Sequence, residues 1–549
     1  MSMRFAPVVL FSSLVMLPSL KAQANLRLPT AAQQESSSID PARIRESVKT
    51  LASDAFEGRA PGQPGGVKAA EYIAEHFKAA GLEPAGDNGT YFQKVPLVGV
   101  KTDPATKFSL VPEKGVPINL TFGTDYVTNN QTHTPTADVH APIVFVGYGI
   151  VAPEYGWDDY RNVDVKGKVA LVIVNEPSSD DPKFFNGKSM TYYGRWTYKY
   201  EEAGRHGAVG VLIVHRTDLA SYPWQVVQNS WSGEHSYLRN DPDARLKAAS
   251  WIQHDVADKL FATVGLTADS AIVAASKRGF QPITLPMRLD AHVISQVHEY
   301  ESDNVVGKIT GARQDRDVIY TAHYDHFGID RTRKGDPVFH GAADNATGTA
   351  ILMEMARAFA QKKIQPPSTV IFAAVTAEEQ GLLGSQYLGM HPPVPAKDIS
   401  LDINYDELLP LGDITGVSAD GAQRTTAYPL LEALAEKDHL SLRKNGVDAG
   451  GGYYRSDHFS LARVGIPAFS LGQSGPFVGH DEEWSRQQSR DFGENKYHTP
   501  ADAYSDSMDF TGNAHAARFG FELGWIVMEQ PQRMEWIPGD EFEAARKRQ

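Results

Sequence analysis

From Leu285 onward, apolar strands alternate with helices, and this alternation constrains the fold more than any other feature of the chain. The strands lie in the stretches DVIYTAHYDHFG, STVIFAAVTAEEQG and DISLDINYDELL. Between the first two, NATGTAILMEMARAFAQKK places Ile351, Met355 and Phe359 on one face of a helix. The pattern predicts an α/β fold with a mostly parallel central sheet flanked by helices. In open sheets of this kind, ligands bind beyond the carboxyl ends of the strands.

The amino terminus has the pattern of a secretory signal peptide. Arg4 is followed by an apolar stretch from Val8 to Leu20 and by the A-x-A sequence Ala22-Gln23-Ala24. No later segment is long and apolar enough to span a bilayer. We therefore expect residues 1–24 to be removed and the protein to be exported, periplasmic or secreted, without contact with the membrane afterwards.

The remaining chain divides into three parts. Residues 25–130 are expected to begin the main domain, with a helix capped by Asp40 and started by Pro41, and a second helix ended by Gly81. Residues 131–284 contain short strands such as APIVFVGYGI and GAVGVLIVH, which predict a β-rich α/β insert. Residues 285–549 are expected to complete the main domain.

Composition limits the possible partners and the possible metal ligands. The 549 residues carry a formal charge of −14 and no run of basic residues, which argues against a nucleic-acid partner. The chain has no cysteine, so any metal must be held by His, Asp and Glu.

Side chains that bind metals follow the predicted strands at their carboxyl ends. They are His323 and Asp325 after the first strand, Glu378 and Glu379 after the second, Asp406 after the third, with Asp344 before the intervening helix and His498 downstream in NKYHTPAD. Each could be an ordinary cap, turn or loop residue. Two histidines and several carboxylates at one sheet edge together predict a site for two divalent cations, with zinc the usual partner of these ligands.

The motifs TAHYDH, GAADNATGTA, TAEEQGLLGSQY, INYDEL, SDHFSLARVGIPA and KYHTPAD resemble, in the same order, those of the M28 family of zinc peptidases. The stretches GYGI, DVKGKVALV and AGRHGAVGVLIV are similar to the protease-associated domain that many members carry as an insertion. The resemblance implies the zinc exopeptidase fold with that domain inserted. It also implies an exported aminopeptidase that uses two zinc ions to hydrolyse peptide substrates.

The resemblance also implies a role for each site residue. His323 and Asp406 would bind one zinc ion, Glu379 and His498 the other, and Asp344 both. Glu378 would be the general base that activates the metal-bridging hydroxide. Asp325 would orient His323 or its surroundings, and Tyr497 would assist the developing oxyanion.

Several alternatives stay open from the sequence. Asp402 shares strand parity with Asp406 and is a second candidate ligand. His326, His340 and His480 are expected to be structural or rim residues; Asp457 and His458 would shape the pocket, and Arg455 could contact substrate. Other activities compatible with the motifs are a carboxypeptidase acting on acidic C-terminal residues, a glutaminyl cyclase and a non-catalytic binding protein.

Overall fold

The structure is a computed structural model that describes residues 26–241, 245–361, 363–444 and 446–549. The predicted signal peptide, residues 1–24, lies outside these residues. The helices are α1 Thr30–Ser37, α2 Pro41–Leu51, α3 Pro64–Ala80, α4 Trp196–Arg205, α5 Thr217–Ala220, α6 Trp224–Ser232, α7 His254–Ala262, α8 Ala268–Ala275, α9 Thr347–Phe359, α10 Leu383–Met390, α11 Tyr428–Lys437, α12 His458–Arg463, α13 Glu482–Asp491, α14 Thr511–Glu529 and α15 Glu543–Arg546. Within the described ranges, none of the helices combines the length and the apolar character needed to cross a bilayer.

The strands form two main sheets. Their bounds are β1 Glu83–Pro84, β2 Phe92–Thr102, β3 Lys107–Pro112, β4 Ile118–Asn119, β5 Tyr126–Asn129, β6 Thr136–Phe145, β7 Val151–Ala152, β8 Trp157–Asp158, β9 Val169–Ile173, β10 Gly210–Val214, β11 Glu234–Leu238, β12 Ala248–Ile252, β13 Ile283–Ile309, β14 Arg313–His323, β15 Gly328–Ile329, β16 Val338–Phe339, β17 Ser368–Val375, β18 Ile399–Asn404, β19 Ile414–Asp420, β20 Ser441–Leu442 and β21 Ala468–Phe477.

The first sheet has a parallel centre, as the sequence predicts. Strands β17, β14, β18 and β21 are neighbours in that order and all parallel, with Ile319 of β14 opposite Ile371 on one side and Asp402 on the other. The flanking strands β13 and β19 run antiparallel to this centre. The carboxyl ends of the four central strands therefore meet at one edge.

Helices cover both faces of this sheet because its strands are apolar on both sides. Tyr320 and Phe372 stack at 5.4 Å on the face that packs against α9 and α14. Ile319 and Ile371 point to the opposite face, where α12 packs. The predicted helix starts and stops are confirmed: the Asp40 side chain accepts from the Ala42 amide, and Gly81 ends α3 with a left-handed φ of 88°.

The second sheet forms the β-rich part of the chain. Strands β6, β9, β10 and β12 are neighbours and parallel, and β5 joins β12 antiparallel. Buried residues form one apolar cluster on each of its faces. This sheet takes in β3, β4 and β5, which precede residue 131: β3 pairs with β4, and β5 pairs with β12. It extends past residue 284 because β3 and β6 pair with the early part of β13. The proposed division into domains stays a prediction.

One long strand connects the two sheets. The first part of β13 pairs with β3 and β6, and the part from Ser295 to Ile309 pairs with β2 and β17. The same continuous strand thus joins the second sheet to the first. Arg195 and Trp231, from the part of the chain that forms the second sheet, line a cavity together with Glu378.

Candidate active site

The predicted site residues come together at the carboxyl ends of the central strands. β14 ends at His323 itself, β17 ends at Val375 just before the glutamate pair, and β18 ends at Asn404 just before Asp406. The rule that parallel strands present ligands at this edge accounts for the convergence.

The first cluster of ligand atoms surrounds His323, which is buried. Its Nε2 lies 3.1 Å from Asp406 Oδ1 and 3.3 Å from Asp344 Oδ1. Burial lowers the pKa of His323, but the carboxylates of Asp406 and Glu378 outweigh it and raise the pKa well above its ordinary value. The imidazole thus occupies a strongly negative environment.

The second cluster contains His498 and a histidine whose place was not expected. His498 Nε2 lies 3.2 Å from both Asp344 Oδ2 and Glu379 Oε2, and His326 Nδ1 lies 2.5 Å from Glu379 Oε1. Burial lowers the pKa of His498, but its two carboxylate neighbours raise it to about 9.

His326 was expected at the rim or in a structural role, and it lies inside the site instead. The reason is the turn after β14, in which Arg59 accepts a hydrogen bond from the His326 amide at 3.4 Å and donates one to the Tyr324 carbonyl at 2.7 Å. Beyond the strand end, side-chain alternation no longer predicts which way a residue points.

Asp344 lies between the clusters and directs one carboxylate oxygen to each. Its Oδ2 is buried and has no hydrogen-bond partner in the described part of the chain. One group of candidate ligand atoms belongs to His323, Asp344 and Asp406, and the other belongs to His326, Asp344 and Glu379. Within each group the atoms all lie within 4.8 Å of one another. Buried carboxylates need compensating positive charge. The imidazole and carboxylate ligands of the two clusters are of the type that binds zinc.

The two adjacent glutamates diverge because they lie in a turn. Ala377 adopts a left-handed φ of 54°, and the Glu378 carbonyl accepts from the amides of Gly381 and Leu382. Glu379 points to the second cluster. Glu378 Oε2 lies 4.0 Å from His323 Nε2. The two side chains thus point to different groups, in keeping with their different predicted roles, and the turn sets their directions.

Glu378 is a carboxylate at this edge that belongs to neither cluster. Burial raises its pKa well above the ordinary value; His323 opposes this shift and Glu379 adds to it. A carboxylate held ready to accept a proton, next to ligand atoms but outside them, is suited to general-base chemistry.

Asp325 was expected to orient His323, and it contacts the imidazole through its backbone rather than through its carboxylate. The His323 Nδ1 contacts the Asp325 backbone carbonyl at 3.2 Å, whereas the nearer carboxylate oxygen is 3.8 Å away. The carboxylate instead accepts the Glu378 amide at 3.1 Å. Asp325 therefore holds His323 with its backbone and the Glu378 turn with its side chain.

Tyr497 lies beside His498, with the two rings stacked at 3.7 Å. Burial raises the pKa of the Tyr497 hydroxyl, and Glu407 adds to the shift. The hydroxyl thus keeps its proton and remains a hydrogen-bond donor at neutral pH.

Of the two candidate ligands Asp406 and Asp402, only Asp406 lies among the grouped ligand atoms of the described residues. The Asp406 carboxylate contacts His323 and accepts from the Ser456 hydroxyl at 2.5 Å. Asp402 lies within β18, fully buried, and accepts from the Thr321 hydroxyl at 3.0 Å. It belongs to neither group of ligand atoms in the described residues.

The other residues named from the sequence have distinct surroundings. His340 contacts the Ala52 carbonyl at 3.1 Å and Asp336 at 2.9 Å. Both of its ring nitrogens are therefore used in contacts outside the two clusters, in keeping with a structural role. His480 stacks on Trp484 at 3.6 Å. Asp457 and His458 are buried, and His458 and Arg455 line the cavity that contains His323.

Two positioning residues were missed. Arg59, fully buried, donates to the carbonyls of Tyr324, Leu51, His340 and Gly341 at 2.7 to 2.8 Å. Asp502 accepts from the amides of Ala343 and Asp344 at 2.9 to 3.1 Å. Asp502 is the last residue of the motif KYHTPAD, which could have identified it as a site residue. No local sequence pattern identifies Arg59, because its hydrogen-bond partners lie as far as 282 positions away.

Two cavities of about 370 Å³ each open at the site and share Glu378, Arg455 and Tyr497. The first cavity extends from these residues to the part of the chain that forms the second sheet and is lined by Arg195, Tyr200 and Trp231 among others. The second contains His323, Asp344, Asp406 and Glu407. Substrate would therefore have room on both sides of Glu378.

Residues 304–520 match the model of peptidase family M28, which confirms the family resemblance of this segment. A probable zinc metalloprotease of Pyrenophora tritici-repentis is 48% identical over 86 residues, 16% of this chain and 17% of that protein. Aminopeptidase YwaD of Bacillus subtilis is 28% identical over 218 residues, 37% of this chain and 40% of that protein. The matched part thus spans less than half the length of these relatives.

Among solved structures, an aminopeptidase from Aneurinibacillus sp. strain AM-1 aligns with a TM-score of 0.47 at 19% identity, over 93% of this chain and 98% of that one. A zinc aminopeptidase from Bacillus subtilis aligns with a TM-score of 0.40 at 18% identity, over 88% and 94%.

Proposed function

We propose, from the match of residues 304–520 to peptidase family M28, that the protein is a zinc metallopeptidase that removes amino-terminal residues from peptides with two zinc ions. The observation that carries the proposal is the position of Asp344. One of its oxygens lies 3.3 Å from His323 and the other 3.2 Å from His498. Such a carboxylate is suited to holding two cations side by side.

Zinc bound at the clusters would polarise the scissile carbonyl and lower the pKa of water. Glu378 takes a proton from the attacking water and delivers it to the leaving amine. Tyr497, protonated at neutral pH, donates a hydrogen bond to the developing oxyanion. Asp325 keeps Glu378 in place through its contact with the Glu378 amide.

A free amino terminus fits the acidic cavity. Glu407 lies next to Asp406 with a left-handed φ of 54°, and its side chain lines this cavity. The described part of the chain offers the Glu407 carboxylate no basic partner within ion-pair distance. Burial raises the pKa of Glu407 to about 8, and the negative charge of Asp406 adds to the shift. An ammonium group of substrate would stabilise the ionised form of Glu407.

A carboxypeptidase is the second candidate, because Arg195 lines the other cavity and Arg455 lines both, and these guanidinium groups could bind a terminal carboxylate next to the scissile bond. A glutaminyl cyclase and a binding protein have no comparable support. Both would leave Glu378 or one cluster without a role.

The test uses the purified zinc-loaded protein with a tripeptide whose amino terminus is free or acetylated, and identifies products by mass spectrometry. We expect release of the first residue from the free peptide only, loss of activity with a chelator and recovery with zinc. Release of the last residue from both peptides would replace this proposal with the carboxypeptidase. Loss of ammonia from amino-terminal glutamine without cleavage would replace it with the cyclase.

We also propose that the protein is exported after cleavage behind Ala24. The support is the sequence pattern of residues 1–24. Amino-terminal sequencing of the protein recovered from the periplasm or the medium should begin at Asn25. Recovery in the cytoplasm with the first residues intact would contradict export.

A further inference from the structure

One carboxylate, that of Glu541, contacts two distant segments that line the first cavity. Glu541 lies just before helix α15 and is not among the residues that line either cavity. Its Oε1 accepts the Tyr454 hydroxyl at 2.7 Å, and its Oε2 accepts the Tyr192 amide at 3.3 Å. Tyr192 is 349 positions away along the chain. Both tyrosines line the cavity that contains Glu378, so Glu541 holds two of its walls from behind.

The two walls come from the two different sheets. The turn Tyr192–Gly194 lies in the part of the chain that forms the second sheet, and the turn Gly452–Arg455 lies in the part that forms the first. The turns contact each other through the rings of Tyr192 and Tyr454, whose centroids are 5.9 Å apart. Glu541 lies where the turns meet, so its two hydrogen bonds fix one turn relative to the other.

Arg424 fixes the direction of the Glu541 carboxylate. Its guanidinium donates to Glu541 Oε1 at 2.7 Å and to the two Asp540 oxygens at 2.7 and 3.0 Å. It also lies 4.7 Å from the ring centroids of Tyr453 and Phe542. A cation held on several sides compensates the half-buried carboxylate and leaves both of its oxygens directed at the turns.

The donors on the cavity walls depend on this acceptor. Tyr454 is buried, and burial raises the pKa of its hydroxyl well above the ordinary value, with Glu541 adding to the shift. The hydroxyl therefore remains a hydrogen-bond donor at neutral pH. A buried donor without an acceptor is costly. Removing the Glu541 carboxylate would therefore make both turns rearrange to find other partners.

We infer that Glu541 is a positioning residue of the first cavity and holds its two walls in the arrangement that receives the part of a peptide beyond the scissile bond. The inference rests on the proposed function, which places the amino terminus of the peptide beside Glu407 in the second cavity and so leaves the first cavity for the rest. The zinc ligands and Glu378 lie on other segments. The effect of Glu541 should therefore appear in the binding of longer peptides and not in the chemical step.

The first test compares leucinamide, which has no residue beyond the scissile bond, with the tetrapeptide Leu-Ala-Ala-Ala. For Glu541→Gln we expect KM for the tetrapeptide to rise about tenfold, with its kcat and the kcat/KM of leucinamide within about twofold of wild type. The matched control Asp540→Asn weakens the same Arg424 pair but leaves both tyrosine contacts, and it should keep the wild-type KM. An unchanged KM for Glu541→Gln, an equal loss with leucinamide, or the same effect in the control would overturn the inference.

The variant Tyr454→Phe approaches the contact from the other side, because it removes the hydroxyl and keeps the ring. It should raise KM for the tetrapeptide about threefold. Combined with Glu541→Gln, it should add less than its separate effect, since both substitutions remove one hydrogen bond. Fully multiplicative effects, or a wild-type KM for Tyr454→Phe, would show that Glu541 does not act through this wall.

A binding measurement separates this inference from the proposed function. Calorimetry with the zinc form of Glu378→Gln measures the affinity for the tetrapeptide without turnover. An affinity that falls about tenfold when Glu541→Gln is added, but not when Asp540→Asn is added, supports the inference even if the first residue is never released. Equal affinity in all three proteins, or no binding to Glu378→Gln itself, would overturn it while leaving an observed aminopeptidase activity intact.

Discussion

Replacing Arg59 by Met tests how the fold assembles the site. The guanidinium donates to the carbonyls of Leu51, Tyr324, His340 and Gly341. It thus ties the turn before His326 to the segment that leads into Asp344. At about 1.5 kcal/mol for a bond from a charged donor, losing the four bonds costs about 6 kcal/mol. Burial, the largest cause, lowers the Arg59 pKa from its ordinary value to about 10. Removing the buried cation therefore returns about 3 kcal/mol of unfolding free energy.

The expected net loss in unfolding free energy for Arg59→Met is therefore about 3 kcal/mol. Urea unfolding of the metal-free protein measures it, and zinc titration should show weaker binding, since the ligand segments lose a common anchor. The control Arg43→Met removes an exposed arginine whose contacts with Asp40 and Glu354 are 3.8 to 3.9 Å, and it should cost less than about 1 kcal/mol. An Arg59→Met protein as stable as wild type, with the same zinc affinity, would refute the reasoning.

Three further outcomes follow. Asp502→Asn should weaken zinc binding about tenfold in a competition assay, because the Asp344 backbone loses its anionic acceptor; wild-type affinity would contradict this. His326→Ala should lower zinc affinity about tenfold or more, while the structural control His340→Ala should not change it; equal effects would remove His326 from the site. Burial lowers the pKa of His458 to about 4, so the neutral side chain contributes stability above about pH 6.5, and this contribution is lost as the pH falls toward 4. His458→Gln should therefore reduce the change in unfolding free energy between these pH values by up to about 3 kcal/mol. An unchanged pH dependence would contradict this.

The central sheet was predictable because its strands are short and apolar, and because the segment between two of them has apolar residues at helical spacing. The same pattern predicted the edge at which His323, Asp344 and Asp406 meet, since parallel strands present their carboxyl ends together. The helix bounds at Asp40 and Gly81 followed from local capping chemistry, which acts within a few residues.

The remaining features depend on contacts that no local pattern carries. His326 and Glu378 lie beyond their strands, where turns set the direction of each side chain. Arg59 contacts carbonyls up to 282 positions away. The second sheet begins before residue 131 because β3 pairs with β13, a partner far along the chain.

Zinc content and turnover of Glu378→Gln test the central claim most directly. The account places Glu378 outside both groups of ligand atoms, with its nearest oxygen 4.0 Å from His323 Nε2. We predict that the variant retains two zinc ions per chain by mass spectrometry of the native protein, while kcat falls by about 10²-fold or more. Asp344→Asn, measured beside it, should bind less zinc. Loss of zinc from Glu378→Gln, or turnover at the wild-type rate with both ions bound, would contradict the account.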